Sequence, residues 1–66
     1  MIEFELIRNW AENKGIFDNS TPKNQVMKLV EEMGELSKAI QEQNKAEIED
    51  AIGDCMVVLI ILASMN

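Results

Sequence analysis

Histidine and tyrosine are missing altogether from this 66-residue chain, and cysteine, proline and tryptophan occur once each. Without histidine there is no Cys/His zinc site and no His-based triad. With Cys55 alone, no internal disulfide can form, which fits a reducing compartment. Cations are scarce as well: 6 Lys and Arg stand against 12 Asp and Glu, a net charge of −6. No basic patch is left to neutralise the phosphates of a long nucleic acid. The same balance is compatible with a small phosphorylated ligand held through bridging metal ions. Long apolar runs are absent too, since Cys55 to Ala63 is nine residues and a bilayer span needs roughly 20. The N-terminus, Met1-Ile2-Glu3-Phe4-Glu5, is acidic and lacks the basic start of a signal peptide. A soluble, cytoplasmic protein without a membrane partner is expected.

What is present reads as helix. Phe4, Ile7, Trp10 and Ala11 have helical spacing over Ile2 to Asn13, and Gly15 supplies a stop. Ile16 to Ser20, with Asp18, Asn19 and Ser20, reads as a loop. Thr21 followed by Pro22 suits an N-cap and first helical position. Val26, Leu29, Val30, Met33, Leu36, Ala39 and Ile40 then form a 3.6-residue stripe, ended by the polar stretch Gln41 to Lys45. Gly34 within it costs about 1 kcal/mol against Ala, which points to close approach by a backbone or a ligand. A third segment starts near Asn44, where Asn44 and Glu47 have capping-box spacing. From Cys55 to Ala63 it is apolar on every side and needs cover on all faces.

These patterns predict one all-α domain, 1–66. The second and third segments form an antiparallel hairpin, and two hairpins assemble into a four-helix bundle as a homodimer, or two dimers into a homotetramer. A chain of this size buries only about 60% of its unfolded surface. With no disulfide, oligomerisation is the natural supplement to so small a core. The apolar run reaches Asn66 without a cap or polar tail, so truncation or further elements are expected at that end.

The chemistry concentrates in two acidic clusters, Glu31, Glu32 and Glu35, then Glu47, Asp50 and Asp54. Residues three and four apart on a helix are neighbours, so Glu32 and Glu35 share a face, and Asp50 and Asp54 share another. Asp54 continues into Val57, Val58 and Ile61, which predicts that it points inward. An antiparallel hairpin brings the clusters together, and facing carboxylates repel one another unless a cation joins them. Mg²⁺, or Mn²⁺ in its place, takes hard oxygen ligands and keeps positions open for water and phosphate. The plain alternative is a solvated acidic face paired with Lys28 and Lys38. Cys55 and the five methionines read as core filling, and Trp10 as a core anchor or a base-stacking group.

The stretch Pro22-Lys23-Asn24-Gln25, then Lys28-Leu29-Val30-Glu31-Glu32-Met33-Gly34-Glu35-Leu36, then Asp50-Ala51-Ile52-Gly53-Asp54 with its apolar tail, resembles the MazG-like nucleoside triphosphate pyrophosphohydrolases. The resemblance covers roughly residues 20 to 63. It implies Mg²⁺-dependent hydrolysis of a ribo- or deoxyribonucleoside triphosphate to the monophosphate and pyrophosphate. Carried over by position, Glu32, Glu35 and Asp54 would be metal ligands. Glu31 would bind a second ion or orient the attacking water as base, and Asn24, Lys28 and Trp10 would touch substrate. One position departs from the pattern: three residues before Asp54, where the family has Glu, stands Ala51. Asp50 is the expected substitute as fourth ligand, with Glu47 left as a helix cap. Glu47 with Asp50 is the other Glu-x-x-Asp, but no apolar run follows it at the right offset. The rival readings are a non-catalytic helical oligomerisation module and a nucleotide-binding regulator with a degenerate metal site.

Overall fold

Side-chain caps decide where the two long helices begin. In the computed structural model, which describes residues 2–65, Thr21 Oγ1 accepts a hydrogen bond from the Asn24 backbone N–H at 3.1 Å. Asn44 Oδ1 accepts one from the Glu47 N–H, also at 3.1 Å. Each satisfies one of the N–H groups that a helix start leaves without an intrahelical partner. The elements are α1 (Ile2–Asn13), α2 (Ile16–Asn19), α3 (Pro22–Gln41) and α4 (Lys45–Ser64). No strand occurs among the described residues, and the all-α expectation holds.

The turns are equally specific. Gly15 takes φ 74°, a left-handed conformation that costs glycine little. Its N–H donates to the Glu12 carbonyl at 3.1 Å, closing α1. Ile16 to Ser20, expected as a loop, instead contains the one-turn α2. The Asn19 side-chain amide donates to the Gly15 carbonyl at 2.9 Å and holds that turn shut, so the turn-forming residue supports a helical turn here. Between α3 and α4, Gln43 sits at φ 55°. Asn44 N–H reaches the Ala39 carbonyl and Gln43 N–H the Ile40 carbonyl, both at 3.1 Å. This is the Schellman arrangement, with glutamine where glycine is usual.

α4 is the central element, packing against both α3 and α1, and the α3–α4 hairpin is the dominant contact. On α3 the half-buried and buried positions are Gln25, Leu29, Glu32, Leu36 and Ala39, alternating steps of four and three that define one seam. On α4 the corresponding positions are Ile48, Ala51, Cys55, Val58 and Leu62. Ile60 and Ile61 are buried as well, as is Ala11 of α1.

The apolar stripe expected on α3 therefore divides. Leu29, Leu36 and Ala39 belong to the seam, while Val26, Val30, Met33 and Ile40 are exposed. Ile52, Met56 and Leu59 are exposed on α4, so a single chain does not cover the run from Cys55 to Ala63. Trp10 is 47% exposed and is no core anchor within one chain. Gly34 also departs from expectation: a Cβ built there meets nothing within 4 Å, so no neighbouring backbone of the same chain requires glycine.

Candidate metal centre and adjoining cleft

Register in the hairpin follows from counting outward from its turn. Glu32 lies eleven residues before Gln43 and Asp54 eleven residues after it. In an antiparallel pair they come level. Glu35 is level in the same way with Ala51, and Lys38 with Ile48. One carboxylate oxygen each from Glu32, Glu35 and Asp54 lie within 4.8 Å of one another. The two acidic clusters do meet, through three of their six members.

Glu32 is the unusual member. It occupies the inner seam and is only 8% exposed, the one buried charged residue among those described. Its Oε2 has no hydrogen-bond partner, and Lys28 Nζ stands 3.7 Å from Oε1. Burial raises its pKa above the usual 4.5, as do the negative charges of Glu35 and Asp54. A proton on Glu32 can also be shared in a hydrogen bond with Glu35, which raises it further, and Lys28 opposes the shift. Glu35 and Asp54 are exposed. Asp54 was expected to point inward, but its side chain stays at the solvent edge of the seam, beside the Glu32–Glu35 pair.

A buried carboxylate oxygen without a partner, faced by two more carboxylates, fits a hard divalent cation by donor type and by charge. The raised pKa gives a pH dependence of definite sign. Folded Glu32 holds its proton to higher pH than unfolded Glu32, so its favourable contribution is complete below the ordinary value. That contribution is lost as pH rises through the raised one. In EDTA, the urea midpoint is expected to fall as pH rises above the ordinary glutamate value, and Glu32→Gln to flatten that slope. A slope unchanged by the substitution would assign it to other acids.

Beside the three carboxylates runs a cleft of about 320 Å³ lined by Glu35, Lys38, Glu47, Asp50, Ala51 and Asp54. Asp50 thus lines the cleft but is not one of the three grouped carboxylates. Ala51 is 5% exposed, level with Glu35. Glu31 is exposed, outside both group and cleft. Asn24, Lys28 and Trp10 do not line the cleft either. The Asn24 backbone completes the α3 cap, Lys28 pairs with Glu32, and Trp10 lies on α1. Lys38 and the Glu47 side chain, by contrast, do line it, although the sequence suggested only a surface partner and a cap. The signal available was spacing: Lys38 is one turn beyond Glu35, and Glu47 one turn before Asp50 and Ala51.

A profile of the MazG nucleotide pyrophosphohydrolase domain matches residues 20–66. The chain is 45% identical over 65 residues to an uncharacterized 18.2 kDa protein in the rep-hol intergenic region of Haemophilus phage HP1 (strain HP1c1). That alignment covers 94% of this chain and 40% of the phage protein, so the chain spans less than half the length of this curated relative. No solved structure matches it. With the helical hairpin, the grouped carboxylates and the matched region coinciding, the chain belongs to the MazG nucleotide pyrophosphohydrolase domain family.

Proposed function

We propose that this domain hydrolyses a nucleoside or deoxynucleoside triphosphate to the monophosphate and pyrophosphate, with Mg²⁺ (or Mn²⁺) held by Glu32, Glu35 and Asp54. The observation that carries the reading is the buried, unpartnered Glu32 Oε2 within reach of Glu35 and Asp54, beside a cleft open to a small ligand. When bound, the cation supplies charge neutralisation for the polyphosphate and acidifies the attacking water. The protein residues supply the rest. Glu32, fixed in the seam, sets the position of the donor set, while the exposed Glu35 and Asp54 turn their remaining oxygens toward solvent and substrate. Asp50 stands ready at the cleft wall as an outer ligand in place of the residue missing at Ala51. Glu31, exposed one position before Glu32, is the carboxylate available for a second cation or for orienting water. Asn24, Lys28 and Trp10 reach substrate only outside the cleft proper.

The domain acts in the cytoplasm as a homodimer or homotetramer in this reading. Among the described residues no helix is long and apolar enough to cross a membrane. The direct test is incubation with each ribo- and deoxyribonucleoside triphosphate plus Mg²⁺, followed by separation of products. Monophosphate and pyrophosphate in equal amounts are expected from at least one nucleotide. No turnover of any by folded, metal-loaded protein would sink the enzyme claim. Ala51 favours a second reading, a nucleotide-binding regulator, which binding of a triphosphate without turnover would identify.

A further inference from the structure

Lys38 is the one cation among the residues lining the cleft; the other charged groups there are Glu35, Glu47, Asp50 and Asp54. In so acidic a setting a lysine would be expected to pair. Yet the Lys28–Glu32 contact is the single ion pair among the described residues. Lys38 therefore lines the cleft without a committed carboxylate. It sits one helical turn, about 5 Å, from Glu35 toward the hairpin turn. The α4 wall opposite, from Glu47 to Asp54, is about 10 Å long.

Resting on the pyrophosphohydrolase reading, we propose that Lys38 is the phosphate-binding residue for the pyrophosphate portion of the substrate. The end of the cleft around Lys38 and Glu47 has no aromatic lining, so nothing there recognises a base. A polyanion entering it meets carboxylates on both walls and needs a positive charge beyond the cation at Glu32, Glu35 and Asp54. Lys38 supplies that charge, six residues beyond Glu32 on the same helix and nearer the hairpin turn. A lysine serves this role as a mobile point charge with three donors, placed to follow the leaving group as the bond to the α-phosphate breaks.

The test compares wild type, Lys38→Met, Lys38→Arg and Lys23→Met. Isothermal titration measures binding of inorganic pyrophosphate, of nucleoside monophosphates and of Mg²⁺ alone, the first two in saturating Mg²⁺. Lys23 also lies on α3 but does not line the cleft, so its variant controls for net charge. Lys38→Met is expected to weaken pyrophosphate binding by roughly 10-fold to 100-fold, the range for a charge-assisted hydrogen bond. Monophosphate binding should be unchanged, Lys38→Arg should retain most of the affinity, and Lys23→Met should resemble wild type. Affinity for Mg²⁺ alone should not fall in Lys38→Met, because removing a nearby cation cannot weaken a cation site electrostatically. Equal pyrophosphate affinity in wild type and Lys38→Met would overturn the assignment while leaving the enzyme reading intact. Wild type that binds neither pyrophosphate nor any monophosphate in Mg²⁺ would overturn both.

Discussion

Mg²⁺ at about a hundred times its dissociation constant is expected to raise the melting temperature by roughly 10–20 °C, and Glu32→Gln to remove that rise. A ligand at that excess adds about 2.7 kcal/mol to the folded state. For a domain of this size each kcal/mol shifts melting by about 4–8 °C. The substitution has two effects of opposite sign, which makes it diagnostic. Without metal, Glu32→Gln should melt higher than wild type, because it removes a buried charge whose Oε2 has no partner and which faces Glu35 and Asp54. With metal it should melt lower, because the ligand is gone. Asp54→Asn, at the exposed edge, should lose the Mg²⁺ response with a smaller gain in the metal-free state. Turnover in either variant is expected to fall by at least roughly 100-fold, the scale for losing one preorganised electrostatic group. Differential scanning fluorimetry in EDTA and in Mg²⁺ reads the stability half. Curves for wild type and both variants that respond alike to Mg²⁺ would refute the three-carboxylate site.

The helices were legible because their signals are local. Thr21-Pro22 and Asn44 with Glu47 name the starts of α3 and α4, and the structure places both caps there. The meeting of the acidic clusters was legible for a related reason: a short turn fixes antiparallel register, and register fixes which residues come level. Depth was harder to read. The pattern turned Asp54 inward and gave Glu32 no depth, yet Glu32 falls on the seam and Asp54 at its rim, a difference of a fraction of a turn. The α3 stripe was wide enough to serve two faces, and periodicity alone does not say which one a single chain covers. The Asn19 amide that closes α2 on the Gly15 carbonyl four residues back is a local bond, but a turn-forming residue type does not say whether its side chain opens or closes a helical turn. Lys38 escaped notice because i,i+3 spacing from Glu35 has an ordinary explanation, a surface ion pair, that the structure does not contain.

The exposed face leads to the second large effect, the collapse of an assembly. Val26, Val30, Met33 and Ile40 on α3 run beside Ile52, Met56 and Leu59 on α4, each between 45% and 64% exposed. Among the described residues no side chain larger than alanine is less than 2% exposed in one chain, so the core is thin where a small domain most needs burial. A two-fold pairing of these faces would produce the four-helix bundle and cover the apolar run of α4. Wild type is expected to be a dimer or tetramer by light scattering coupled to size exclusion. In a two-fold interface every substitution occurs twice. Leu59 is already half buried in one chain, so losing the remaining burial of two leucines, at about 0.75–1.5 kcal/mol each, weakens association by roughly 10-fold to 150-fold. Leu59→Glu adds the cost of two charges in an apolar contact, so it should yield monomer, with helical circular dichroism that weakens at every temperature. Leu59→Met, which keeps volume and apolarity, should assemble as wild type does and separates loss of the interface from a general effect of mutation. Wild type that stays monomeric at its highest soluble concentration, with the same helicity as Leu59→Glu, would refute the bundle. The face would then need another explanation for so much apolar surface on one side of the hairpin.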